Sequence, residues 1–363
     1  MEKRSFYIDL LRILASVFVV FMHTAAGGLR TDVAGHVGWF CLAAMSSFAF
    51  CAVPLFFMIT GYLLTASEQT NDVKVLFMKR LPRLVVPLMF WSVLHIFWDM
   101  LFTGDFSASK IWILSISALQ KPINVSFWFM YTLVGMYLIS PLLCVGLRNL
   151  SKQGERLLLG IIILIEFLSA VRIVAPAFSA MYLDFDVLKA LDLFSGHLAS
   201  FILGWYLGKT EMRLSKVALC VTAATVFAII FTGTVLRSSA AGEYITAFQS
   251  QSAGFEILLA SCVFLLVKQI PATDAAAVRK LIHTAAKHTF PIYLMHALLL
   301  RIFARLEMAA SLTAVSLTAV LWKTIVVYMI SLAIAEFCSR TPVLSYLACG
   351  RVVAEGKENN VNG

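Results

Sequence analysis

The sequence predicts an all-α, polytopic membrane protein of about ten transmembrane helices with both termini in the cytoplasm. Three observations carry that prediction. Of 363 residues, 60% are hydrophobic and only 13% are charged, and the mean hydropathy is +0.87, far from the balance of a soluble domain. Apolar runs of about twenty residues, long enough to cross a hydrocarbon core as a helix, recur along the chain. The basic residues fall in alternate connections rather than in one patch, as cytoplasmic loops do. The net charge of +9 therefore points away from nucleic acid.

Taken in order, the spans lie near 8–28, 38–65, 84–102, 125–147, 157–175, 193–208, 217–236, 251–268, 289–306 and 316–338. Lys3 and Arg4 precede the first. Lys74, Lys79, Arg80 and Arg83 follow the second, and Arg148, Lys152 and Arg156 follow the fourth. Lys209, Arg213 and Lys216 follow the sixth; Lys268, Arg279, Lys280 and Lys287 follow the eighth. Residues 1–340 form the membrane domain and 341–363 a short cytoplasmic tail, polar after Arg351. Asp9 and Arg12 interrupt what would otherwise start as a signal peptide, so the first helix is expected to stay uncleaved. Pro54 predicts a kink in the long second span. The stretch 103–124 is too short to span and return, and lies at the interface or re-enters. The outer loop 176–192 carries Asp184 and Asp186. The seven cysteines form no CxxC and no Cys/His cluster, so neither a disulfide framework nor a metal site is expected.

The first helix holds the sharpest signal. Asp9, Arg12 and His23 are ionisable groups in a segment otherwise apolar enough to span a bilayer, where such groups are costly and face protein or a watery cavity. Arg12 and His23 are eleven residues apart, close to three helical turns, so both leave one face, roughly 16 Å apart along the axis. A fixed cation near one membrane surface and an imidazole deep in the bilayer suit a long anionic molecule whose reactive end reaches the histidine. A snorkelling Arg with a hydrogen-bonded core His is the structural alternative. At the basic mouth after the second span, Arg80 and Arg83 share a face of a helix beside Lys79, suited either to phosphate or to anionic lipid.

Other polar groups divide similarly. His296, one turn from Tyr293, makes a structural hydrogen bond or lines an acyl or acceptor path. His95 and Asp99 share a face and are expected to pair. Glu166, Arg172, Glu256, Lys323 and Glu336 are interhelical partners or cavity lining, and His36, His197, His283 and His288 are read as solvated span ends.

The motifs together are the firmer signal. Arg12 and His23, the run Val53-Pro54-Leu55-Phe56-Phe57-Met58-Ile59-Thr60-Gly61-Tyr62-Leu63, and the basic loop with Arg80, Arg83 and Pro87 stand in order. Phe127-Trp128-Phe129 then leads to Tyr137-Leu138-Ile139-Ser140-Pro141-Leu142, and Tyr293-Leu294-Met295-His296 follows. On these residues the chain resembles the acyltransferase-3 family of integral membrane acyltransferases over nearly its full length. Gln120-Lys121-Pro122 and the overall size are most similar to the branch that includes the enterobacterial common antigen O-acetyltransferase. Lys79 stands where many members have Arg, and Leu11 where Gly is frequent; neither removes charge.

The resemblance implies a bacterial inner-membrane O-acyltransferase, with acetyl-CoA or another acyl-CoA as donor and no metal. It implies phosphates held by Lys79, Arg80, Arg83 and Arg12, and His23 as general base or acyl carrier, with Asp9 orienting Arg12. Trp128, Tyr293 and His296 belong to its later motifs. The implied acceptor is a hydroxyl of a cell-envelope glycan or lipid-linked saccharide, and membrane lipids are the surroundings. A transporter or flippase without acyl chemistry is the alternative, supported by intramembrane charge and the Pro54 kink.

Overall fold

The structure, a computed structural model, describes residues 6–31, 33–104, 106–176, 196–211, 214–250, 254–309 and 316–351. The acidic loop residues Asp184, Asp186 and Asp192, Arg213 and the tail beyond Arg351 lie outside them.

The described chain is built of helices. In order they are α1 (Phe6–Arg30), α2 (Val37–Ala49), α3 (Ala52–Ala66), α4 (Pro82–Thr103), α5 (Ala108–Gln120), α6 (Trp128–Arg148) and α7 (Lys152–Val174). They continue as α8 (Gly196–Lys209), α9 (Lys216–Ala241), α10 (Gly254–Lys268), α11 (Ala276–Ala309), α12 (Leu317–Cys338) and α13 (Pro342–Cys349). Among the described residues, 8 helical stretches are long and apolar enough to cross a membrane. The spans expected near 193–208 and 251–268 are present as α8 and α10, with 14 and 15 described residues, too short to be counted among the eight. The ambiguous stretch at 103–124 contains α5, of 13 residues. The helix expected at 289–306 begins earlier, because α11 runs 34 residues from Ala276.

Helix ends follow local chemistry. Ser151, Ser215 and Ser316 cap α7, α9 and α12 by accepting from the backbone N–H three residues on. Gly242 ends α9 at φ +69°, a left-handed turn that favours glycine.

A membrane interior offers no water to a freed backbone carbonyl, and at Pro141 and Pro291 a side chain supplies the donor that the proline lacks. Pro54 leaves the Phe50 carbonyl without its helical donor, and the regular helix is interrupted there at Phe50 and Cys51, which keep right-handed helical dihedrals between α2 and α3. Pro141 frees the Tyr137 carbonyl, which accepts from the Ser140 hydroxyl at 2.8 Å. Pro291 frees the Lys287 carbonyl, which accepts from the Arg351 guanidinium. Past residue 340 the chain folds once more: Trp91 Nε1 donates to Ala348 O at 3.0 Å, seating α13 against α4.

The core sits around α1, which packs against α2, α3, α10, α11 and α12. Beside it α3 and α8 press backbone to backbone. A Cβ at Gly61 would lie 1.9 Å from Phe201 O, and one at Gly204 would lie 2.0 Å from Met58 O. Gly204→Ala is therefore expected to cost about 1–3 kcal/mol by forcing the pair apart. Gly160→Ala, with nothing within 4 Å of the new Cβ, should not destabilise. Thermal unfolding of both variants in detergent checks the contrast; equal midpoints would refute the close approach.

Candidate active site

Two histidines face each other across the helices that α1 and α11 bring together. His23 and His296 have ring centroids 5.2 Å apart. His296 is fully buried, whereas His23 keeps some ring surface accessible. The Nδ1 of His296 meets the Tyr293 carbonyl one turn earlier at 2.5 Å, which fixes the ring. Tyr293 is itself held, since its hydroxyl donates to the Ser126 carbonyl at the start of α6 and its ring lies 5.3 Å from Phe129.

A cavity of about 190 Å³ reaches Tyr293, the residue whose carbonyl and ring contact His296. Arg12 and Lys287 line it together with Thr60, Phe129 and Tyr137, and Tyr293 both lines it and contacts His296, with centroids 5.7 Å apart. Arg12 of α1 lines the cavity, whereas His23 of the same helix is not among its lining residues and meets His296 instead. A larger groove of about 730 Å³ between α1, α2, α9 and α12 is lined almost wholly by apolar groups such as Phe18, Met45, Phe48 and Phe227. Its lining holds no Asp, Glu, His, Lys or Arg.

At the basic end the predicted cations separate. Arg80 donates to Ser67 Oγ at 2.8 Å and Thr70 Oγ1 at 2.7 Å, neutral acceptors that hold the guanidinium without cancelling its charge. Lys79 and Arg83 are exposed. Asp9, expected to orient Arg12, is buried and makes a 3.0 Å ion pair with His283 of α11.

Residues 5–339 match the acyltransferase-3 family, described as an acyltransferase domain. The chain belongs to that family. No curated protein and no solved structure matches it. A membrane acyltransferase is what the family establishes.

Several calls on the remaining polar residues change. His95 and Asp99 do not pair directly: Arg301 of α11 lies between them, bonded to both carboxylate oxygens of Asp99 and 3.3 Å from His95 Nδ1. His197, read as a solvated end, stacks between Phe57 at 4.7 Å and Trp128 at 5.1 Å. His288 is buried and pairs with Glu336 at 3.0 Å. Glu166 caps α8 by accepting from Gly196 N at 2.8 Å, and Lys323 pairs with Glu307 at 2.5 Å. Glu256 is fully buried and finds no hydrogen-bond partner among the described residues. Among the described residues no cluster of three metal-ligating side chains occurs.

Three further cations take structural or cavity positions that their place in the sequence does not single out. Lys287 lines the cavity. Arg301 answers Asp99, and an arginine inside an apolar helix was the available signal. Arg148 gathers the free carbonyls at the end of α3, bonding Leu64 O, Thr65 O and Ser67 O at 2.6–3.2 Å. Arg148→Leu should lower the thermal midpoint clearly, by about 1–3 kcal/mol, by stripping that cap. The exposed Lys74→Leu is expected to leave it within about 0.5 kcal/mol, and similar midpoints would show the cap to be dispensable.

Proposed function

We propose that the chain is an O-acyltransferase of the bacterial inner membrane that moves an acyl group from acyl-CoA to a hydroxyl of a cell-envelope glycan or lipid-linked saccharide. Acetyl-CoA is the proposed donor, in keeping with the resemblance to the enterobacterial common antigen branch. The observation that carries this reading is the cavity that runs from Arg12 and Lys287 to Tyr293, beside the His23–His296 pair.

At about 190 Å³ the cavity is narrower than a site for a compact ligand and suits a thread-like arm. The pantetheine arm would enter it while the nucleotide and its phosphates stay at the basic, cytoplasmic mouth. There Arg12 and Lys287 supply charge at the entrance, and Arg80, fixed but not neutralised, lies within electrostatic reach of the lining Tyr137. Lys79 and Arg83 add exposed charge around it.

The reaction needs a base, an oriented hydroxyl and a place for the thioester. His23 takes the proton of the acceptor hydroxyl as its oxygen attacks the thioester carbonyl. The tetrahedral intermediate collapses, the C–S bond breaks, and the CoA thiolate takes the proton back from the imidazolium. His23 ends neutral, ready for the next cycle. Exclusion of bulk water by the packed aromatic wall of Phe57, Phe129 and Tyr293 protects the thioester from hydrolysis.

Membrane vesicles carrying His23→Ala should lose at least 100-fold of the transfer of radiolabel from acetyl-CoA to alkali-labile envelope glycolipid. Label entering equally with wild type and variant would remove His23 from the chemistry. Thr60→Trp, which fills the cavity from α3, should raise the KM for acetyl-CoA severalfold in a protein that still folds. An unchanged KM would place the donor elsewhere.

A further inference from the structure

One wall of the cavity contains a proline. α11 supplies Ala286, Lys287, Thr289, Phe290 and Tyr293 to the lining, and Pro291 stands among them. On its N-terminal side lies Lys287; on its C-terminal side lie Tyr293 and His296, the latter facing His23. An in-helix proline removes one backbone hydrogen bond and is where helices kink. The distance from Lys287 to the histidine pair therefore depends on the angle that α11 takes at Pro291.

The carbonyl that Pro291 frees is that of Lys287, and the Arg351 guanidinium donates to it. Arg351 reaches it from a separate element. Trp91 Nε1 of α4 donates to the Ala348 carbonyl at 3.0 Å, and Gly350 then turns the chain at φ +66°. That turn lies against α4: a Cβ at Gly350 would stand 2.1 Å from Arg83 O and 3.2 Å from Pro87 Cγ. The Arg351 backbone N–H donates to Ser345 O at 3.0 Å, so its side chain leaves for α11 from a fixed point. Leu84, the residue after Arg83, lines the same cavity. The link thus runs from one wall, on α4, to the proline in the other. His283 and His288 also tie this part of α11 down, to Asp9 and Glu336 at 3.0 Å each, but through side chains. Arg351 acts on the backbone at the proline itself.

We propose that Arg351 is a positioning residue for the donor site: by replacing the hydrogen bond that Pro291 removes, it fixes the angle of α11 and holds Lys287 in register with Tyr293 and His296. The effect on the donor rests on the acyltransferase reading, whereas the effect on α11 rests on geometry alone. Without the guanidinium α11 samples several angles at Pro291. A donor that must engage both ends of the cavity then binds only the fraction with the right one, and its KM rises. Once bound, the donor selects that angle, so kcat is little changed. The scheme makes a demand that a direct phosphate contact does not. Pro291→Ala restores a backbone N–H for the Lys287 carbonyl, so Arg351 should matter only while the proline is present.

The test uses the full chain in detergent, carrying Cys41→Ser and Cys220→Ser to remove the accessible thiols. Spin labels are attached through Leu281→Cys and Leu306→Cys, exposed positions of α11 on either side of Pro291. They lie about 38 Å apart along a straight helix, a separation that pulsed electron resonance measures. With Arg351 in place the distance distribution should be narrow. Arg351→Met should at least double its width and raise the KM for acetyl-CoA at least threefold, with kcat changed less than twofold. Arg351→Lys, which keeps a donor, should recover most of both effects and control for folding. In the Pro291→Ala background Arg351→Met should alter neither. A width that ignores Arg351→Met would overturn the proposal, and so would a wider distribution with unchanged KM. A KM rise that persists in the Pro291→Ala background would make Arg351 a phosphate contact and overturn it equally. Distances that behave as described in a protein that transfers no acyl group would count against the reaction alone.

Discussion

A polar side chain inside a bilayer is costly unless a neighbour satisfies it, and in this protein several helix contacts are marked by such pairs. α1 is the clearest case. Asp9 is held by His283, Ser16 meets the Tyr328 hydroxyl at 3.0 Å, and His23 faces His296. Two of those three partners lie on α11 and the third on α12. The docking of α1 against this pair is therefore written in polar contacts as well as packing. The same docking creates the cavity that Arg12, Lys287 and Tyr293 share.

The backbone obeys the same rule. Helices bury their own N–H and C=O groups, and every proline in a span breaks that economy at one carbonyl. Where Ser140 and Arg351 supply the missing donors, α6 and α11 continue through Pro141 and Pro291. Where Pro54 removes the donor for Phe50, the span divides into α2 and α3. Continuity at Pro291 matters for chemistry, because Lys287, Tyr293 and His296 fall on either side of it along one helix.

The cations illustrate how one residue type serves two ends. Arg148 and Lys268 cap the exposed carbonyls of α3 and α8, with Lys268 Nζ reaching Leu207 O, Gly208 O and Thr210 O at 2.6–2.8 Å. Their charge is spent on backbone. Arg80 also organises a loop, yet through neutral hydroxyls, so its charge stays available to an anion. Arg12 and Lys287 line the cavity, and in the proposed reading theirs is the charge that meets an anion.

The sequence by itself determined the helical membrane class, the family, the backbone irregularity that Pro54 imposes and the spacing that puts Arg12 and His23 about three turns apart on α1. These follow from quantities local to a helix: hydropathy over about twenty residues, a repeat of 3.6 and the missing N–H of proline. Only the tertiary structure decided who answers whom. That His283 meets Asp9, that Arg301 stands between His95 and Asp99, and that His296 faces His23 are relations between residues up to 274 positions apart. Helix periodicity says which way a side chain points, and carries no information about which helix lies opposite. That choice is made by the joint packing of all the spans, which is why the site's members were legible singly and their arrangement was not.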